Sequence, residues 1–162
     1  MDISNPELSR RFELAKTWAV EAGKSTLVHF QKGVAVERKE DASPVTIADR
    51  QAEQLLRDRI TAEFPDDAIL GEEFGEQSGK TGFRWILDPI DGTKSFICGV
   101  PLYGTLVGIE HESKAVAGII EIPALAESVS AAIGGGAWHR SGTSEPVPVS
   151  YTHLTLPTIC SV

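Results

Sequence analysis

From Thr105 onward the chain is a succession of short β-rich runs, residues 105–110, 115–121 and 128–133, separated only by polar or proline-containing turns. A parallel crossover needs a dozen or more residues, so connections this short force neighbouring strands into an antiparallel meander. Gly134-Gly135-Gly136 then makes a tight connection to a last short strand at 137–140. The N-terminal third reads with a different period. Asn5-Pro6 is an N-cap followed by proline at the first helical position. Leu8, Phe12, Ala15, Ala19, Leu27 and Phe30 supply an apolar stripe at roughly helical spacing, with Gly33 as the stop. Residues 34–41 read as a short strand entering a loop, and Ser43-Pro44 marks the turn. A second helix is predicted over 48–64, ended by Pro65. Its buried face is Ala52, Leu55, Leu56, Ile60 and Phe64, with Arg50, Glu53, Arg57 and Asp58 expected in solvent. Residues 68–70 and 83–87 are short strand candidates that each run into a carboxylate. The fold class predicted is α+β: two N-terminal helices packed together on one side of a mainly antiparallel sheet.

The 162 residues suit one domain large enough to bury a real core. A formal net charge of −8 argues against a nucleic-acid groove or an anionic membrane surface, which need clustered Lys and Arg. Acidity is compatible with an anionic substrate where divalent cations reverse the local field. Cys98 and Cys160 form neither a metal-ligand spacing nor a disulfide framework. No apolar run approaches a membrane span, and the first residues lack the pattern of a secretory signal. The expected compartment is the cytoplasm.

Two segments concentrate the chemistry: 70–75, Leu-Gly-Glu-Glu-Phe-Gly, and 85–93, Trp-Ile-Leu-Asp-Pro-Ile-Asp-Gly-Thr. Each sets acids directly after an apolar strand, at a sheet edge where side chains can converge. Asp88 and Asp91 lie three residues apart around a proline, so a turn can aim both at one point, and Glu72 can approach from a neighbouring strand end. An all-oxygen donor set favours Mg²⁺, Mn²⁺ or Ca²⁺ over Zn²⁺. Gly92-Thr93 offers unobstructed backbone N–H groups, and a helix beginning there would put a phosphate at its positive end. Thr93 adds a hydroxyl able to orient a water. Alone, Glu72-Glu73 reads as a solvated acidic turn; with the nine-residue stretch it reads as the parts of a metal-assisted phosphoryl transfer. Residues 75–81, Gly-Glu-Gln-Ser-Gly-Lys-Thr, have three residues between the glycines where a P-loop needs four, and are expected to be a flexible polar loop. Residues 88–93 also miss the haloacid-dehalogenase aspartate pattern, because two residues rather than one separate the acids.

The nine-residue motif with Gly71-Glu72-Glu73 upstream resembles the signature of the inositol monophosphatase superfamily, over about the first helix to Ser141. The resemblance implies the N-terminal part of a layered αβαβα fold and direct, in-line attack on phosphorus by a metal-activated water. By motif match, Glu72, Asp88 and the backbone carbonyl of Ile90 would hold one Mg²⁺, and Asp88 and Asp91 a second. Glu72 and Thr93 would orient and deprotonate the water, Asp49 would support Thr93 and an outer metal, and Asp91, Gly92 and Thr93 would meet the substrate. The partner implied is a small phosphorylated metabolite, with neither nucleic acid nor membrane, and full-length members imply a homodimer. Residues 43–50, 71–75 and 91–97 are most similar to the histidinol-phosphate phosphatase branch, which implies histidinol phosphate as substrate and a place in histidine biosynthesis. Inositol-specific members more often carry Thr-Asn-Phe where this chain has Lys94-Ser95-Phe96.

Members of the superfamily continue into a second lobe whose Trp-Asp motif supplies a further ligand of the second metal, and that motif does not occur here. The division expected is therefore residues 1–148 as an N-terminal lobe with most metal ligands, residues 149–162 as a non-native tail, and no C-terminal lobe. Two other functions stay open: a metal-binding or dimerisation module without turnover, and a superfamily phosphatase for inositol phosphate or a phosphorylated nucleotide. His29, His111, His139 and His153 read as surface or packing residues. Cys98 is expected to be a small buried apolar residue. Lys39 and Lys94 are candidates to touch phosphate or metal-bound water, with solvated positions the other reading.

Overall fold

The computed structural model describes residues 1–38 and 44–149. Helix α1 spans Pro6–Leu27, and the Asn5 side chain caps it by accepting from the backbone N–H of Glu7 and Leu8. Its buried stripe is Leu8, Phe12, Ala15, Trp18, Ala19 and Ala22. Phe30, expected to extend the stripe, lies beyond the helix end and packs into a separate cluster. Two short strands, β1 (Val36–Arg38) and β2 (Pro44–Thr46), pair antiparallel as a ribbon. The turn expected at Ser43-Pro44 is thus already strand at Pro44, which sits at the strand's first position, where its missing N–H is tolerated. Residues 39–43, which include Lys39 and Ser43, lie outside the described residues, as does all but Val149 of the expected tail.

Helix α2 spans Ile47–Glu63. Both helices lie on one face of an eight-stranded sheet made of β3 (Ala68–Gly71), β4 (Gly75–Gln77), β5 (Phe83–Asp91), β6 (Gly104–His111), β7 (Lys114–Ile122), β8 (Glu127–Ala132), β9 (Gly136–Ser141) and β10 (Val147–Pro148). The order is β10-β9-β8-β7-β6-β5-β3-β4. The meander from β5 to β9 is antiparallel throughout, as the short turns require. Among the described residues, only β3 and β5 pair in parallel. The chain between them folds back as β4 on the outer edge of β3, so the segment expected to be a flexible loop is instead partly an edge strand. Gly79 fastens it: a Cβ there would lie 2.1 Å from the Ala68 backbone nitrogen, so only glycine permits the approach.

The main core lies between the helices and the sheet. Trp18, Phe64 and Trp85 pack ring against ring with centroids 5.7–6.2 Å apart, and Leu8, Leu56, Ile60, Val107 and Ile109 close around them. A buried polar hub holds one end of this core. Asp67 accepts from Arg11 Nε (2.8 Å) and Nη2 (2.9 Å), from Thr81 Oγ1 (2.6 Å) and from Trp85 Nε1 (2.9 Å). A second cluster, Ala48, Ile90, Phe96 and Tyr103, with Phe30 against it, lies directly beneath the acidic motif. Among the described residues, no helix is long and apolar enough to cross a membrane.

Candidate active site

Strand β5 is longer than the sequence suggests, because it carries through the whole acidic motif. Phe83, Trp85 and Leu87 point into the core, while Arg84, Ile86 and Asp88 take the opposite face. Regular alternation would then send Asp91 inward, since residues three apart occupy opposite faces of a strand. A β-bulge prevents this. Asp88 pairs with Leu106 and Asp91 with Gly104, so Pro89 and Ile90 together oppose the single residue Thr105. Both bulge residues are buried, and Thr105 Oγ1 donates to the Pro89 carbonyl at 2.8 Å. The extra residue restores Asp91 to the open face shared with Asp88. Pro89 suits the position because a bulge leaves its backbone nitrogen without a ladder partner to serve.

After the bulge, Gly92 adopts φ +90° and starts a short helix, α3 (Thr93–Ile97), which Phe96 anchors in the second core cluster. The Thr93 hydroxyl donates to the Ile90 carbonyl at 3.1 Å. Glu72 lies just past the end of β3, with its backbone N–H donating to the Leu87 carbonyl at 3.1 Å. This bond places Glu72 beside Asp88, and the Glu72 side chain is within hydrogen-bonding reach of the Asp88 carboxyl. Asp49 is buried in the first turn of α2, where its Oδ2 accepts from Thr46 N (2.8 Å) and Thr46 Oγ1 (2.6 Å) in a capping box.

The electrostatics single out Asp88. Burial, the hydrogen bond with Glu72, and the negative charges of Glu72 and Asp91 together push it up to about 7, opposed only in part by the Ile90 N–H. Its Oδ1 is buried with no hydrogen-bond partner. A buried carboxylate oxygen lacking a donor, flanked by further acids, fits a hard divalent cation in both donor type and charge. Among the described residues, however, no three or more His, Cys, Asp or Glu side chains gather closely enough to form a ligand cage by themselves. The structure brings Glu72 to Asp88, keeps Asp91 on the same face, and has Asp49 buried at the start of α2.

Sequence reasoning missed two residues and misread a third. Glu53 and Arg57, expected in solvent, are buried on α2 and hold the loop that bears Glu72. The available signal was their spacing: Asp49, Glu53 and Arg57 form an i, i+4, i+8 row beside the apolar stripe. Cys98, expected buried, is exposed, because α3 turns its C-terminal end outward while Phe96 takes the inward position. His29 and His111 take the surface or packing roles expected: His29 Nε2 lies 2.8 Å from Gln51 Oε1 in an exposed pair, and the His111 ring packs tilted against Phe83 with centroids 4.6 Å apart.

A helix-backed, mainly antiparallel sheet with acids converging at the end of one bulged strand defines a layered α+β class of protein. Residues 7–162 match the model of the inositol monophosphatase family, and the chain belongs to that family. It is 48% identical to a histidinol-phosphatase of Chlorobaculum parvum over 90% of this chain and 54% of that protein. A histidinol-phosphatase of Mycobacterium tuberculosis is 40% identical over 87% of this chain and 55% of that protein. The solved structure of the Thermotoga maritima IMPase superposes with a TM-score of 0.77 at 30% identity, covering 87% of this chain and 54% of the other. The chain spans about half the length of the curated relatives it matches.

Proposed function

We propose that this chain carries catalytic acids of a Mg²⁺-dependent phosphatase that hydrolyses a small phosphate monoester, with histidinol phosphate as the substrate. The observation that carries the reading is the bulge at Pro89-Ile90, which turns Asp91 to the face of the buried, partnerless Asp88 Oδ1. Glu72, Asp88 and the Ile90 carbonyl would hold one cation, and Asp88 and Asp91 a second. When bound, such cations polarise phosphoryl oxygens and make a water nucleophilic near neutral pH. The protein's own part is positional. The Thr93 hydroxyl, its proton committed to the Ile90 carbonyl, has lone pairs left to accept a hydrogen bond from the attacking water. The Glu72 carboxylate accepts the proton that this water loses as its oxygen bonds to phosphorus. The ester P–O bond breaks on the opposite side, and the departing alkoxide takes a proton from solvent water, leaving alcohol and inorganic phosphate. Asp91, Gly92 and Thr93 border the phosphate, and the absence of a Cβ at Gly92 lets it approach the backbone. Asp49, at the start of α2, would support Thr93 and an outer metal.

The choice of histidinol phosphate is supported by the names of the two relatives above and by Lys94-Ser95-Phe96-Ile97 following the motif. Cytoplasmic localisation is supported by the sparse cysteines. The test is kcat/KM for histidinol phosphate against inositol 1-phosphate, in a protein extended to the length of these relatives. A preference for inositol 1-phosphate overturns the substrate while leaving the metal chemistry standing. Phosphate release that is unchanged by chelation of divalent cations overturns the mechanism.

A further inference from the structure

Glu53 is fully buried, yet it is a carboxylate on a helix that has apolar residues to spend on its inner face. Its contacts all lead to one place. Glu53 Oε2 accepts from the Glu73 backbone N–H at 2.7 Å, and Oε1 accepts from the Phe74 N–H at 3.2 Å. Oε1 also accepts from Arg57 Nε at 2.8 Å, and the same guanidinium donates through Nη2 to the Gly75 carbonyl. The Phe74 ring covers that guanidinium at 5.9 Å. The approach is so close that a Cβ on Gly71 would lie 1.9 Å from Glu53 Oε1 and 2.8 Å from Arg57 Nη2. The glycine before the paired glutamates is therefore dictated by this carboxylate rather than by backbone conformation.

A buried ion pair is a poor source of net stability, because desolvation of both partners offsets much of their attraction. What it supplies here is a fixed set of backbone bonds. Residues 71–75 are gripped from α2 by Glu53 and Arg57 and from β5 by the Leu87 carbonyl, which accepts from Glu72 N–H. Glu72 sits between the two grips, with its own side chain directed at Asp88. We infer that Glu53, braced by Arg57, is the positioning residue for Glu72: it holds the 71–75 turn at the height where Glu72 and Asp88 can share a divalent cation. The inference rests on the phosphatase reading above and adds a residue from another element to it.

The test titrates Mn²⁺ into the 162-residue chain and follows the free-ion signal by electron paramagnetic resonance, at a temperature well below the Tm of every variant. Glu53→Gln keeps the size but replaces an acceptor oxygen with a donor amide that opposes the loop N–H groups. Gly71→Ala leaves every acid in place and displaces the clamp by steric contact, so it carries the test if Glu53→Gln does not fold. Asp67→Asn is the control, since it loosens the polar hub at the far side of the core. Groups that orient metal ligands typically change affinity by about tenfold or more when altered, so Glu53→Gln and Gly71→Ala should each weaken Mn²⁺ binding by about tenfold. Asp67→Asn should lower Tm while leaving the Mn²⁺ Kd within about twofold, which separates positioning from general loosening. Wild-type Mn²⁺ affinity in Glu53→Gln or Gly71→Ala, or an equal loss in Asp67→Asn, overturns the inference. A wild-type chain that takes up no Mn²⁺ instead refutes the metal reading, and the positioning role with it.

Discussion

Replacing Asp88 by asparagine should make the metal-free protein more stable at neutral and alkaline pH, and the size of the gain follows from the site. The carboxyl is held at about 7 against an ordinary 3.8, chiefly by burial and by the adjacent Glu72. A group whose folded pKa is raised binds its proton more tightly in the native state, so native stability falls as pH rises from the ordinary value towards about 7, and levels off above it. The full shift corresponds to an upper bound of about 4 kcal/mol. Glu72 and Asp91 are exposed to water, which screens their share of the repulsion, so about 2 kcal/mol is the expected penalty for ionised Asp88. Asparagine keeps the shape and carries no charge to bury. Urea denaturation of both proteins at pH 5.0, 7.0 and 8.5, in chelator and followed by far-ultraviolet circular dichroism, measures the difference directly. The wild type should lose stability across this range, and Asp88→Asn should be flatter and more stable at pH 8.5. Parallel pH profiles for the two proteins would refute the reasoning. The trade is the kind expected where a site stores destabilisation for function.

The remaining expectations use the same geometry. Asp67→Ala strands the buried Arg11 guanidinium between Phe64 and Phe83 and should cost about 3–5 kcal/mol in the same urea assay. Burial alone would raise the Asp67 pKa, but hydrogen bonds from Arg11, Thr81 and Trp85 overcome it and hold the group below its ordinary value. Stability from Asp67 is thus present above the ordinary carboxylate range and lost as pH falls through the lowered value; an acid-unfolding midpoint unchanged in Asp67→Asn would contradict this. Mg²⁺ at tenfold over its Kd should stabilise the chain by about 1.4 kcal/mol, a rise of about 3–5 °C in a thermal melt, and no rise would count against a cation site. In a protein extended to its relatives' length, Asp91→Asn should fold normally but retain less than about a tenth of wild-type turnover at saturating Mg²⁺.

Periodicity and turn chemistry were enough to read the two helices, the antiparallel meander and the residues that make the core, because local spacing determines those features. The Asn5 cap, the stripe through Leu8 and Ala19, and the strands from residue 105 onward all follow from neighbours in sequence. The acids were legible as well, since Asp88 and Asp91 flank a proline at the end of an apolar run. Their relation was not. Which face Asp91 takes depends on Thr105, a residue of the next strand, accepting two residues of β5 opposite itself, and no local pattern specifies a register shift. The parallel pairing of β3 with β5 likewise needed the intervening segment to fold back as an edge strand. Glu53 and Arg57 show the limit most clearly. By helical spacing they are ordinary charged residues beside an apolar stripe, and burial becomes tolerable only because a turn from a distant strand brings two N–H groups and a carbonyl to meet them. The sequence determined which side chains could do chemistry; tertiary structure decided which of them meet, because each pairing depends on backbone donated by another element.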